Sequence, residues 1–257
     1  MEENLNQAYV RVNTESTGIT TITFYHLAQN SLPAKILSDL ALAIAEAGKD
    51  DHTRVIILRS GGDRTFCAGA SFDELLQIAD FETGKRFFMG FAHVINACRT
   101  CGKIVIGRVQ GKAVGGGVGL AAATDYCFAT QYAQVRLSEL AVGIGPFVVG
   151  PAVERKIGIS AMSQLTLNAT EWQSAEWAGQ RGLFAEVFES ADKMDEAIQT
   201  LAGKLASSNP EALRLLKNIF WEGTENWDKL LEQRAEMSGK LILSEFSRKA
   251  IAAFKGK

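Results

Sequence analysis

Two segments of this chain combine residue types and spacing that could do chemistry, and both are built on glycine. The first is Phe66-Cys67-Ala68-Gly69-Ala70, which follows a Gly61-Gly62-Asp63 turn and precedes a helical stretch over 72–78. The second is Gly111-Lys112-Ala113-Val114-Gly115-Gly116-Gly117, which follows a strand-like run at 103–109 and opens a helix of small residues. Glycines at a strand-to-helix turn let a ligand come close to backbone N–H groups, because no Cβ stands in the way. The same turn aims the positive end of the helix at that ligand. Such a place suits an oxyanion or a phosphate. Taken singly, either segment reads equally well as a tight turn with close helix packing.

A dinucleotide reading has less behind it. Gly117-x-Gly119-x-x-Ala122 meets the relaxed fingerprint after a strand, and Glu139 stands about 20 residues further on, as that fold requires. The chain has already turned at Gly111, however, and this reading leaves 66–70 unexplained. Cys98 and Cys101 form one C-x-x-C, with no second Cys/His pair at zinc spacing; with Cys67 and Cys127 they read as reduced, mostly buried thiols rather than a metal or redox centre. His26, His52 and His93 share no motif with one another.

The elements that must position these residues follow from periodicity. Strand-like runs at 9–14 and 19–25 flank a Thr17-Gly18 turn and suggest a hairpin. A helix is expected from Pro33 as its first residue, with Ile36, Leu37, Leu40 and Ile44 on one face. Val55-Ile56-Ile57-Leu58, inside 54–59, reads as a buried strand. A helix over 82–97 carries Phe87, Phe88, Met89 and Phe91, which suit either a pocket wall or a core. Strands follow at 103–109 and 125–130. After residue 150 the apolar period is helical nearly throughout, interrupted by a strand-like stretch at 183–188. Asn209-Pro210 starts one helix, 225–243 forms a long amphipathic one, and 247–254 forms the tail.

Composition narrows the partners. The chain has 257 residues, 47% hydrophobic and 22% charged, with 4 prolines, which suits a globular protein with a sizeable core. A net charge of −2 gives no field to attract nucleic acid or an anionic membrane, so neither is expected as a partner. Apolar runs stop well short of the roughly 20 residues of a membrane span. Met1-Glu2-Glu3-Asn4 is unlike a secretory or transit signal, and Phe254-Lys255-Gly256-Lys257 is unlike a Ser-Lys-Leu address. A cytoplasmic location is expected.

Together, 66–75 (FCAGASFDEL) and 109–125 (VQGKAVGGGVGLAAATD) resemble the paired oxyanion-hole segments of the crotonase, or enoyl-CoA hydratase/isomerase, family. The resemblance extends along the chain. Asn30-Ser31-Leu32 resembles the family's Asn-Ala-Leu, and Leu137-Ser138-Glu139 its Pro-Glu site. Trp172, Ala178, Gly182 and Leu183 echo its Ala-x-x-x-Gly-Leu-Val segment, and Ala253-Phe254-x-x-Lys257 its CoA-contacting end.

The resemblance implies a crotonase-like α/β spiral of strand–helix units over 1–195, followed by a helical oligomerisation region over 196–257 that forms homotrimers or homohexamers. It implies an acyl-CoA thioester as partner, with coenzyme A arriving as part of the substrate and no separate cofactor or metal. The amides of Ala70 and Gly116 would hold the thioester oxygen, and Glu139 would be the catalytic carboxylate. Substrate and CoA contacts would come from Ala28, Phe66, Ala68, Gly69, Ala70, Phe72, Gly115, Gly116, Phe254 and Lys257, with Arg64 a further candidate for CoA phosphates.

The chain departs from the family's hydratases at one telling place. Their two water-holding glutamates would fall at residues 119 and 139, and residue 119 is Gly. One carboxylate can still lift a proton from one carbon and return it to another, which is a double-bond shift. Gly143-Ile144-Gly145-Pro146-Phe147 also resembles the isomerase branch. The expectation is therefore an enoyl-CoA isomerase. The alternatives are a hydratase, for instance of a branched substrate of the methylglutaconyl-CoA type, and an acyl-CoA-binding protein with little catalysis. Ser71 stands where the family has Asp; Asp73 and Glu74 read as a solvated helix face, and Asp125 as structural.

Overall fold

The computed structural model describes residues 7–255. Strand β1 (Tyr9–Thr14) and β2 (Ile19–Tyr25) form the expected antiparallel hairpin, in register from Tyr9 opposite Tyr25 to Thr14 opposite Thr20. Beyond them lie β3 (Val55–Ser60), β4 (Thr65–Cys67), β5 (Ile104–Val109), β6 (Lys112–Val114), β7 (Tyr126–Thr130), β8 (Gln134–Arg136), β9 (Gln173–Ser174) and β10 (Glu186–Phe188). The helices are α1 (Ala34–Lys49), α2 (Phe72–Gln77), α3 (Phe81–Thr100), α4 (Gly116–Ala123), α5 (Gly150–Leu167), α6 (Ala175–Gln180), α7 (Ala191–Ala206), α8 (Pro210–Phe220), α9 (Trp227–Leu241) and α10 (Glu245–Lys255).

The strands form two sheets. The large one has the order β1-β2-β3-β5-β7-β10 and is parallel from β2 onward. Its central strands are buried on both faces, which explains their continuous apolar runs. Ile56 and Leu58 face the core made with α1 and α3, whereas Val55 and Ile57 face Met194, Ile198 and Ala202 of α7. The second sheet is small, with the order β4-β6-β8-β9. After each of β3, β5 and β7 the chain adds one short strand to it, so the two sheets grow together as a spiral.

Two expectations need correction. Pro33 is the extended N-cap of α1 (ψ 161°) rather than its first helical residue. The strand expected at 183–188 shrinks to β10, because Leu183 and Phe184 are buried in the turn before it. Residue 195, the last of the expected α/β core, lies within α7, whose apolar face covers the large sheet.

The last helices do not all face outward to a neighbour. Helix α9 crosses α3 of the same chain so closely that a Cβ built at Gly239 would lie 2.7 Å from the Lys85 backbone nitrogen. Two ion pairs from Lys85, to Glu232 at 2.7 Å and Glu236 at 2.9 Å, flank the crossing. Helix α10 packs on α2 and on the 3-10 turn Glu139–Val142. Helix α8 is anchored by a buried Lys217, whose Nζ donates to Asp125 Oδ2 at 2.6 Å, and presents Leu215, Leu216, Ile219 and Phe220 to the outside. Among the described residues no helix is long and apolar enough to cross a membrane.

Candidate active site

The small sheet assembles the site. Its three parallel strands β4, β6 and β8 lie side by side, and each delivers one candidate segment at its carboxyl end: Gly69-Ala70, Gly115-Gly116 and Glu139. Ligands in open parallel sheets gather at that end of the strands. The pairing of Val114 with Arg136, and the 2.8 Å bond from the Gly115 N–H to the Arg136 carbonyl, fix the second segment against the third.

The two main-chain donors are set by hydrogen bonding around them. Ala70 forms an isolated parallel bridge with Leu32, in which the Leu32 N–H donates to the Gly69 carbonyl and the Ser71 N–H to the Leu32 carbonyl. Those bonds use the groups either side of Ala70, so its own N–H points away from Leu32. Gly116 is the first residue of α4, where an N–H has no intrahelical acceptor. Both residues line one apolar cavity of about 60 Å³. Gly69, at φ 88°, lets the segments meet: a Cβ there would lie 2.9 Å from the Val114 carbonyl and 3.7 Å from the Gly116 nitrogen. A Cβ on Gly116 would strike the Phe91 ring, 2.8 Å from its Cδ1, so glycine is required by packing as well as by ligand approach.

Glu139 starts the 3-10 turn, whose end at Gly143 is left-handed (φ 79°) and returns N–H groups to the Glu139 and Leu140 carbonyls. Its carboxylate lies over Gly115, where an added Cβ would be 2.8 Å from Oε1. Oε2 is sealed from solvent and has no hydrogen-bond partner. Burial raises the carboxyl from its ordinary 4.5 to about 7, against a smaller opposing effect of its own backbone N–H. Among the described side chains lining the cavity, Glu139 is the ionisable one; Ser138 and Ser238 are the other polar ones, and Phe72, Leu75, Phe88 and Phe91 are prominent in the apolar wall.

The other expected residues fall in different places. Ala68 and Gly69 lie on the cavity lining, and the Ala68 N–H donates to the Gln29 carbonyl at 3.1 Å, which brings the exposed Ala28 alongside. Phe66 is fully buried, edge-on to Phe24 at 5.6 Å, so its side chain belongs to the core and a substrate can meet only its backbone. Arg64 is exposed on the rim of a separate polar cavity with Tyr25, His26 and Asp63. Phe254 lies in α10, but its side chain is outside the described residues, as is all of Lys257. Ser71 caps α2, accepting the Glu74 N–H at 3.4 Å. Glu74 Oε2 accepts the first N–H of α1, from Ala34, at 2.7 Å, which takes it away from the cavity. The dinucleotide reading fails sterically, since Gly117 packs on Cys67 and Gly119 on Val149, with no space left for a pyrophosphate.

Two lining residues had no signal in the sequence. Ser238 comes from α9, whose packing on α3 carries it to the cavity. Val149 looks like any apolar residue before a helix, yet it stands over Gly119. Among the described residues no group of three His, Cys, Asp or Glu could hold a metal ion, and burial pushes the thiols of Cys67 and Cys127 up to about 12.

Ala70, Gly116 at the start of α4 and the carboxylate of Glu139 thus share the lining of one apolar cavity, an arrangement with the parts needed to stabilise negative charge on a carbonyl-type oxygen while a proton moves nearby. The family model of enoyl-CoA hydratase/isomerase matches residues 14–257, and the chain belongs to that family, the crotonase superfamily. The short-chain-enoyl-CoA hydratase of Clostridium acetobutylicum is 29% identical over 229 residues, 88% of this chain and 87% of that protein. The peroxisomal Delta(3,5)-Delta(2,4)-dienoyl-CoA isomerase of Arabidopsis thaliana is 24% identical over 269 residues, 98% of this chain and 95% of that one. The crystal structure of an enoyl-CoA hydratase from Bacillus halodurans superposes with a TM-score of 0.88 over 95% of this chain and 99% of that one, at 22% identity.

Proposed function

We propose that the protein shifts the double bond of an enoyl-CoA between C3 and C2 through an oxyanion-stabilised dienolate. The Ala70 and Gly116 amides hold the thioester oxygen, and Glu139 carries the proton between C2 and C4. The observation that carries this reading is the solitary state of Glu139: it is the one ionisable side chain on the described lining, and position 119 offers no side chain at all. Preorganised donors of this kind stabilise a transition state by roughly 3–4 kcal/mol each. A carboxyl near 7 is half ionised at neutral pH, which suits a group that must both take and return a proton.

The test is a panel of straight and branched 2- and 3-enoyl-CoAs, analysed by mass spectrometry. Interconversion of the double-bond isomers much faster than the gain of one water is expected. Water gain as the main reaction would overturn the reading in favour of hydration, the activity named for the Clostridium acetobutylicum relative.

The proposal extends to the assembly and the CoA end. The outward row Leu215, Leu216, Ile219 and Phe220 of α8 supports a trimer or hexamer. CoA contacts are proposed for Ala28 and Ala68, with Phe254 and Lys257 of the tail as further contacts. No resident cofactor is proposed. A monomer by light scattering at micromolar concentration would remove the assembly, and an unchanged KM after deletion of 253–257 would remove the tail.

A further inference from the structure

Gly119 follows Gly116 by one helical turn, so both present the same face of α4. A Cβ built at Gly119 would lie 2.6 Å from Val149 Cβ and closer still to its Cγ1. Val149 is itself buried and lines the same cavity as Gly116 and Glu139. The path that a side chain at 119 would take is therefore filled by an isopropyl group. The chain beside it, Ile144, Pro146, Phe147 and Val148, adds apolar wall and no polar side chain. The buried Glu139 Oε2 is left without a hydrogen-bond partner.

We infer that Val149 is the specificity-determining residue of this site: it excludes water from the enoyl C3 and so holds the reaction to a double-bond shift. The inference rests on the shift proposed above. In the shift, Glu139 removes the proton from C2, the electron pair moves through the dienolate, and the same proton returns at C4, with no co-reactant. Hydration needs one water, whose oxygen bonds to C3 while a proton goes to C2. A water held inside protein requires about 2–4 polar partners. Next to an isopropyl group and a glycine it has too few on that side.

The experiment compares wild type with Val149→Thr, which keeps the side-chain shape and adds a hydroxyl, and Val149→Ala, which opens space. Each is given 2- and 3-enoyl-CoA in water enriched in oxygen-18. The readout is the ratio of labelled 3-hydroxyacyl-CoA to double-bond-shifted product. A rise of about tenfold or more is expected in both variants, the scale on which one methyl group discriminates in an apolar pocket. A second readout needs no turnover: Gly119→Glu should lower the melting temperature strongly by itself and less so in the Val149→Ala background. An unchanged product ratio in folded Val149→Thr and Val149→Ala overturns the inference while the shift reading stands. Wild-type protein that hydrates as its main reaction overturns both.

Discussion

Two buried carboxylates, Asp125 and Glu139, stand 14 residues apart in the chain (139 − 125) and have opposite surroundings. Asp125 is saturated. It accepts from Lys217 Nζ at 2.6 Å, from Trp221 Nε1 at 2.7 Å and from the Val105 N–H at 2.8 Å, while its own carbonyl accepts from Lys156 Nζ at 2.9 Å. Glu139 has an orphaned oxygen in an apolar cavity. The first arrangement ties α8 to the start of β5 and to the segment leaving α4. The second ties nothing together and raises the energy of the charged form. A buried carboxylate with its partners present serves the fold, and one without them is a reservoir of basicity for chemistry.

The sharpest way to break this contrast is to neutralise both groups in turn. Glu139→Gln should lower kcat by about 10²–10⁴-fold, the range for loss of a general base. Asp125→Asn should retain near-wild-type turnover per folded molecule. Steady-state kinetics on the preferred enoyl-CoA, with folded protein quantified by circular dichroism, separates the two. Comparable loss in both variants would end the distinction.

Stability should show the reverse order. Lys217→Met leaves Asp125 buried beside fewer donors and should cost about 3–5 kcal/mol in chemical denaturation, as removal of one member of a buried pair does. A cost below about 1 kcal/mol, the range of an exposed pair, would show that water replaces the lysine.

Glu139 should also write its environment into the pH dependence. Its folded carboxyl titrates near 7 and its ordinary value is 4.5, so between those values the folded state holds the proton that the unfolded state has released. Stability from this group is therefore fully present below about 4.5 and falls as pH rises towards 7, by about 3 kcal/mol in total. Denaturation at pH 4.5 and pH 8 should show this component in wild type and not in Glu139→Gln, which should be the more stable protein at pH 8. The value of kcat/KM should rise with pH through about 7 along with ionisation of the base. Absence of the component would mean that the carboxylate is solvated, and a component of opposite sign that it is paired.

The smallest effect belongs to an acidic side chain that is merely near the site. Glu74 accepts the Ala34 N–H and places a negative charge at the start of α1. Glu74→Gln should lower stability by about 0.3–1 kcal/mol, the worth of a charge at a helix end. Activity should not change. Loss of turnover would give Glu74 a share in the chemistry and weaken the case for a single base.

The long elements were legible because each repeats its period several times. Ile36, Leu37, Leu40 and Ile44 fix one face of α1, and Val55 to Leu58 are apolar on both sides of β3. The two glycine segments were legible for a different reason. The function proposed for them uses backbone N–H groups, and a sequence advertises accessible backbone by what it leaves out. The absence of a second carboxylate at Gly119 could be read in the same way.

What the sequence by itself determined, then, was the long strands and helices, the two glycine segments and the lack of a side chain at position 119 to accompany Glu139. Only the tertiary structure decided how they meet. Strands β4, β6 and β8 have three residues each, too few for any alternation to register, and each follows a strand of the large sheet in the chain. The tertiary structure alone put Val149 over Gly119, carried Ser238 into the cavity and sent Phe66 into the core. It also set the basicity of Glu139. A carboxyl's pKa depends on the polarity of whatever packs around it, and here that wall is drawn from parts of the chain as distant as Phe91 and Val149.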